Sequence, residues 1–169
     1  SDRVRFFASI GYLNEDGNID NYGYNRLNLR SNIDAKLTKS LTFTLGVSGR
    51  IEKRDSPRYS ADPNAWHNVP QQIIRALPYV PDTYEYEGKT YNVSTPTASS
   101  PVAPVASINE SGYSKSNYSY IQSNFSLKYD APWLKGLSFK FQGAYDLTYN
   151  FSKILSNPYE VMIMNLPTI

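Results

Sequence analysis

Cysteine is absent from this chain of 169 residues, and histidine occurs once, at His67. Disulfides are permitted but not required outside the cytosol, so the missing cysteine leaves the redox compartment open. No run of about 18 apolar residues occurs, which excludes a membrane-spanning helix. The formal net charge of +2 argues against a nucleic-acid partner, because such proteins normally carry a strongly basic face. A single histidine without a neighbouring nucleophile motif argues against an enzyme, and we expect neither a metal nor a cofactor.

Residues 137–152 alternate strictly between two kinds of side chain. Alternation with a period of two places successive side chains on opposite faces of a strand. The apolar or glycine positions are Leu137, Phe139, Phe141, Gly143, Tyr145, Leu147, Tyr149 and Phe151. Because roughly 9–11 residues of tilted strand cross a bilayer, this segment is long enough to span one. An apolar face opposite a polar face is typical of a strand with lipid on one side and water on the other.

The same alternation predicts four more strands earlier in the chain. Together the predicted strands cover residues 3–14, 24–39, 41–53, 116–130 and 137–152. Short connections predict antiparallel, up-and-down pairing of successive strands. We therefore expect an all-β protein in which residues 1–169 form one partial segment of a large transmembrane β-barrel, without a plug domain.

Five strands are too few to close a barrel by themselves. They leave two unpaired edges, and hydrocarbon does not tolerate the exposed backbone groups of a sheet edge. The sequence also opens directly into a strand, without a signal peptide at Ser1. We expect the chain to be a piece of a longer molecule, or a processed product, whose other strands complete the sheet.

One long connection interrupts the predicted strands. From about residue 54 to residue 114 the alternation disappears, and proline, serine and tyrosine become frequent. A short helical turn is predicted at about residues 65–77. Outer-membrane barrels have short periplasmic turns and long extracellular loops. We therefore expect the turns at Ser40 and Pro132 to face the periplasm and residues 54–114 to form an outer loop.

Three segments carry a resemblance to a known family. They are residues 5–17 (RFFASIGYLNEDG), residues 24–39 (YNRLNLRSNIDAKLTK) and residues 133–137 (WLKGL). These segments resemble the barrel region of SusC/RagA-type TonB-dependent outer-membrane transporters of Bacteroidetes. The resemblance covers nearly all the predicted strands, whereas the long loop matches only in position.

The resemblance implies a function and a set of partners. Such transporters import oligosaccharides or peptides through a plugged barrel of 22 strands. They work with a SusD-like surface lipoprotein and receive energy from the TonB complex through the plug. By this resemblance we expect a location in the outer membrane of a Gram-negative bacterium, in contact with outer-membrane lipid. Neither a plug nor a TonB-contacting segment is recognised in these 169 residues.

Substrate contacts are expected from polar side chains facing the channel and from the long loop. Arg26 and Arg30 alternate with apolar residues on the second predicted strand and are channel candidates. The loop candidates are Trp66, His67, Tyr84 and Tyr86, because aromatic rings beside polar groups suit stacking on sugars or packing against a protein lid. The alternative for each residue is structural, with charges pairing to neighbours and aromatic rings packing within the loop.

A soluble β-sandwich, acting as a carbohydrate-binding or adhesin-type module, is the alternative interpretation of the whole chain. It would also show alternating strands, but it would bury the apolar face of residues 137–151 against a second sheet. Its strands would also rarely be this long. Strand length and the exposure of that apolar face therefore distinguish the two interpretations.

Overall fold

The computed structural model describes residues 3–59, 68–95 and 102–163. In chain order the elements are β1 (Val4–Asp16), β2 (Gly23–Lys36), β3 (Leu41–Pro57), α1 (Val69–Arg75), β4 (Thr83–Tyr86), β5 (Lys89–Ser94), α2 (Pro104–Asn109), β6 (Gly112–Asp130), β7 (Ser138–Ser156) and β8 (Met162–Ile163). The chain divides into two compact units. The strand unit contains residues 1–15, 24–53 and 116–151, and the loop unit contains residues 16–23, 54–115 and 152–169.

A five-stranded antiparallel sheet, in the order β1-β2-β3-β6-β7, forms the strand unit. This arrangement confirms the prediction of an all-β protein with antiparallel strands. Strands β1 and β7 are the two edges, and the described strands do not form a closed barrel. Three strands are longer than predicted, since β3 continues to Pro57, β6 begins at Gly112 and β7 continues to Ser156. Strand β2 is shorter, because it ends at Lys36 and not at Lys39.

The apolar face of this sheet is exposed. Phe139, Phe141 and Tyr145 retain 56%, 64% and 65% of their accessible surface. No second layer of described residues covers them, so the buried face that a β-sandwich requires is absent from the described part of the strand unit. Contacts along the face are lateral, as between the rings of Phe125 and Phe141, whose centroids lie 5.8 Å apart.

Two short turns lie side by side at one end of the sheet. Three backbone hydrogen bonds close and join them: Leu37 N to Leu41 O (2.9 Å), Ala131 N to Leu137 O (2.9 Å) and Asp130 N to Ser40 O (2.8 Å). The second turn contains Gly136 at a φ of 94°, a conformation that glycine adopts without steric penalty. Beside it the rings of Tyr129 and Trp133 pack at 5.8 Å. The connections expected at Ser40 and Pro132 therefore lie at the same end of the strand unit.

The loop unit contains regular structure where the sequence pattern predicted one long irregular connection. Helix α1 lies within the predicted helical turn at 65–77, and Pro70 occupies its first turn. Strands β4 and β5 form a hairpin, with Tyr84 opposite Tyr91, and β8 pairs in parallel with β5. Helix α2 was not predicted. Its short sequence has no repeat long enough to show a helical period.

The core of the loop unit is small and partly polar. Its buried apolar residues are Val69, Val93, Val102, Ala103 and Ala106. Gln72 is also buried; its Nε2 donates to Ser107 Oγ (2.8 Å), and its Oε1 accepts from Ala103 N (3.2 Å). Ser107 Oγ also hydrogen-bonds Tyr159 OH (2.9 Å). Burial raises the pKa of the Tyr159 phenol, and the hydrogen bond to Ser107 partly opposes that rise.

Gly143 leaves space for the Phe125 ring. An alanine at residue 143 should therefore change stability more than an alanine at a glycine with open space around it. A Cβ at residue 143 would come within 2.6 Å of that ring, whereas a Cβ at Gly49 would meet nothing nearer than 4.0 Å. Both glycines lie on the same face of one sheet. We expect Gly143→Ala to lower the free energy of unfolding by about 1 kcal/mol through overpacking. Gly49→Ala should be neutral or stabilising. Thermal unfolding, followed by circular dichroism, compares the unfolding midpoints of the two variants. Equal midpoints would contradict this packing.

Candidate functional site

The structure separates the sequence-predicted site residues into two groups. Arg26 and Arg30 lie on β2 of the strand unit, on the polar face. Tyr84 and Tyr86 lie on β4 of the loop unit, two residues apart and therefore on one face of that short strand. Trp66 and His67 lie outside the described residues.

A shallow depression on the polar face of the strand unit contains Arg30. Its volume is about 500 Å³. The polar side chains around it are Arg30, Asn32, Ser48, Gln122, Asn124 and Asp146. Gly46 forms its floor, because a side chain there would collide with the amide oxygens of Asn32 and Asn124. The amides, the hydroxyl and the two opposite charges can all hydrogen-bond a polar solute. Because Arg30 and Asp146 have opposite charges, neither sign of charge dominates the depression.

Arg50, also on the polar face, has a structural role. Its Nε lies 3.0 Å from Glu52 Oε1, and its guanidinium stacks 4.4 Å above the Tyr120 ring. Glu52 is only 5% exposed, and a buried carboxylate without a paired cation is unfavourable. Arg50 therefore anchors the wall rather than offering a free charge. Arg50 thus has the structural role that was the alternative to substrate contact, with its charge paired to a neighbour.

Arg26 differs from Arg50 in its hydrogen bonding. Its Nε is buried, and no hydrogen-bond partner for that atom occurs among residues 3–59, 68–95 and 102–163. A buried donor without a partner is unfavourable by about 1–3 kcal/mol. Of the two predicted channel residues, Arg26 is therefore the one with a buried donor that has no hydrogen-bond partner among the described residues.

The tyrosines of β4 are among several exposed apolar side chains of the loop unit. Tyr84 and Tyr86 are 45% and 54% exposed. Ile73, Ile74 and Tyr79 of the same unit are also exposed. Lys89 lies 5.1 Å from the Tyr91 ring on the paired strand. Aromatic rings beside polar and charged groups suit either sugar stacking or a protein partner, as the sequence suggested.

A polar cleft in the loop unit was missed by sequence reasoning. Its volume is about 670 Å³, and the turn at residues 16–23 forms one wall. The polar side chains of the other walls include Asp55, Asn109, Lys115 and Asn157. The Asp, Gly and Asn residues at 14–18 are typical of a hairpin turn and give no sign of a cleft. No local signal could reveal the cleft, because its walls come from four separate chain segments.

Asn21 ties that turn to the end of α2. Its Nδ2 donates to Ile108 O (3.1 Å) and to Asn109 Oδ1 (3.4 Å). Asn21 has a φ of 65°, in the left-handed region that asparagine tolerates better than most residues. In the same turn, Gly17 N donates to Tyr22 O (2.8 Å), and this hydrogen bond closes the turn.

The described residues show no arrangement for metal chemistry. No cluster of three or more His, Cys, Asp or Glu side chains in these ranges could hold a metal ion. Within the same ranges, no helix has the length and apolar character needed to cross a membrane.

Comparison with known proteins adds no identification. No protein-family profile matches the chain, and no curated protein matches it significantly.

The two roles of Asn21, hydrogen bonding and tolerance of a positive φ, can be separated by substitution. Asn21→Ala loses both and should destabilise the turn by about 1–2 kcal/mol, whereas Asn21→Gly loses only the hydrogen bonds. We expect amide exchange at Tyr22 and Gly17 to accelerate most in Asn21→Ala. The exposed Asn18 of the same turn provides the control. Similar exchange in Asn18→Ala and Asn21→Ala would contradict this role.

Proposed function

We propose that this chain forms part of the wall of a TonB-dependent outer-membrane transporter of the SusC/RagA type. The transporter imports oligosaccharides or peptides, and a SusD-like surface lipoprotein is its partner. The TonB complex supplies energy through a plug domain. The chain lies in the outer membrane of a Gram-negative bacterium and catalyses no reaction.

The observation that carries the proposal is an exposed apolar face on a sheet of long strands. Strands β1, β2, β3, β6 and β7 contain 13 to 19 residues, which exceeds the roughly 9–11 needed to cross a bilayer. Their apolar face carries exposed phenylalanine, tyrosine and leucine, and their opposite face carries amides, hydroxyls and charges. An exposed face of this size is unfavourable in water and favourable in lipid.

The two sheet edges give the proposal a further requirement. In hydrocarbon the free N–H and C=O groups of β1 and β7 must be paired, because lipid offers them no hydrogen bonds. In the proposed transporter, further strands pair with both edges and close the barrel. The Tyr129 and Trp133 pair beside the short turns then lies at the periplasmic membrane interface, where such rings are enriched.

Adjacent substitutions on opposite faces of β7 test the membrane assignment. Phe141 lies on the exposed apolar face, and Gln142 lines a depression on the polar face. Arginine facing lipid is unfavourable by about 2–4 kcal/mol at the midplane and by less towards the interface, near which Phe141 lies. We expect Phe141→Arg to reduce the amount of folded protein in the outer membrane, and Gln142→Arg to leave it near wild type. Membrane fractionation and resistance to urea extraction measure both variants. Recovery of the wild-type protein in the soluble fraction would refute the proposal.

Loop aromatics are predicted to contact substrate or lid. We expect Trp66→Ala combined with Tyr84→Ala to weaken the binding of labelled oligosaccharides or peptides to cells that make the transporter, because stacking surface is lost. The control combines Trp133→Ala with Tyr129→Ala, which removes the same residue types beside the short turns. Unchanged binding after the loop substitutions would remove this loop from the site.

A further inference from the structure

The register of β2 against β3 places Arg26 directly opposite Glu52. Two glycines show this register by the residue that an added Cβ would meet: Asp55 for Gly23 (4.0 Å) and Asn32 for Gly46 (3.2 Å). Counting along both strands from either pair leads to Arg26 and Glu52. Both residues belong to the strand unit and lie on its polar face.

The carboxylate of Glu52 is already bound by a different arginine. Arg50 Nε lies 3.0 Å from Glu52 Oε1. Arg26 forms no ion pair with Glu52 and none with any other residue of the described ranges. Its Nε is buried and has no hydrogen-bond partner in those ranges. Two arginines therefore lie beside one buried carboxylate, and the charge of Arg26 is in excess.

The next carboxylates on this face do not neutralise Arg26. Glu15 on β1 lies diagonally across from it but is exposed, and an exposed charge that forms no ion pair contributes little because water screens it. Asp146 lies on β7, three strands away. Arg26 itself is half-buried, so its attraction to an arriving anion is screened less than that of an exposed lysine or arginine.

The chemistry around Arg26 indicates which kind of anion fits. The planar guanidinium can donate two parallel hydrogen bonds to the two oxygens of a carboxylate. One positive charge in excess matches one negative charge, whereas a doubly charged phosphate would lie near Glu52 with only one unpaired cation. Asn28 on β2 and Tyr118 on β6 share this face and offer an amide and an aromatic ring to the rest of a solute.

We propose that Arg26 is a specificity-determining residue that binds a carboxylate of the imported solute. Arg26 lies about 33 Å along β2 from the end of that strand at Lys36, and therefore far from the short turns. In the proposed transporter this position is towards the outer mouth of the channel. The transporter then prefers an acidic solute to a neutral one of the same shape. The inference deepens the proposed function, on which it rests for the channel that this face borders.

Two matched pairs of probes test this preference on the purified full-length protein. One pair is a galacturonic acid trisaccharide and its methyl ester. The other is a peptide with blocked ends that contains aspartate, and the same peptide with asparagine. Isothermal titration calorimetry measures the affinities. We expect at least one acidic probe to bind about tenfold more tightly than its neutral counterpart, because hydrogen bonds to a charged group contribute about that factor. The pair that shows the preference identifies the source of the carboxylate.

Substitution of Arg26 separates binding from a structural role. Arg26→Met removes the charge and the buried donor but keeps a long side chain. We expect it to abolish the preference for the acidic probe, and Arg26→Lys to retain only part of it, because lysine lacks the planar fork. Arg26→Met should unfold at the same temperature as the wild type or a higher one, because a buried donor without a partner is removed. A lower unfolding midpoint would show a structural arginine and would overturn the inference.

The matched control is Arg5→Met, which removes an exposed arginine from the same face, near the short turns. This variant should keep the preference. Equal losses in Arg5→Met and Arg26→Met would overturn the inference, because the net charge of the face would then attract the probe. A wild-type protein without a preference, or a preference that survives Arg26→Met, would also overturn it. Membrane fractionation tests the transporter assignment separately, since recovery of the protein in the soluble fraction refutes that assignment whatever the affinities are.

Discussion

Ladder hydrogen bonds between long antiparallel strands hold the strand unit together, and its other features depend on them. Because side chains alternate across a paired strand, a shared register brings most apolar positions to one face and most polar positions to the other. Phe125 and Phe141 then meet laterally on one face, and Asn32 and Asn124 meet over Gly46 on the other. A slip of one residue in any strand would place charges among the phenylalanines.

The loop unit is stabilised by different contacts. Its apolar core is limited to small residues such as Val69 and Ala106, and a buried amide joins its segments. Gln72 binds both the backbone of Ala103 and the hydroxyl of Ser107, and so connects α1 to α2 and its flank. The amide of Gln72 and the hydroxyl of Ser107 would each be unfavourable if buried without a hydrogen bond. The network therefore stabilises the one arrangement of α1 and α2 in which both groups are paired.

Charges on the polar face serve two purposes. Arg50 and Glu52 satisfy each other and support the wall, whereas the Nε of Arg26 is buried without a hydrogen bond among the described residues. Arg30 borders a depression with amides from neighbouring strands. Under the proposed function this face needs both kinds of group, because most charges of a channel wall are neutralised in place and a few remain for a solute or a partner.

The amino-acid sequence by itself determined the number of long strands, their pairing direction and which residues share a face, because a period of two is a local property of the chain. It also located the turns at Ser40 and Pro132. Tertiary structure decided the rest. The α2 helix, the buried Gln72 network and the cleft tied by Asn21 depend on contacts between distant segments, as between Asn21 and Ile108, 87 residues apart. Such contacts leave no periodic signal, so only the tertiary structure placed Arg26 and Tyr84 among their neighbours.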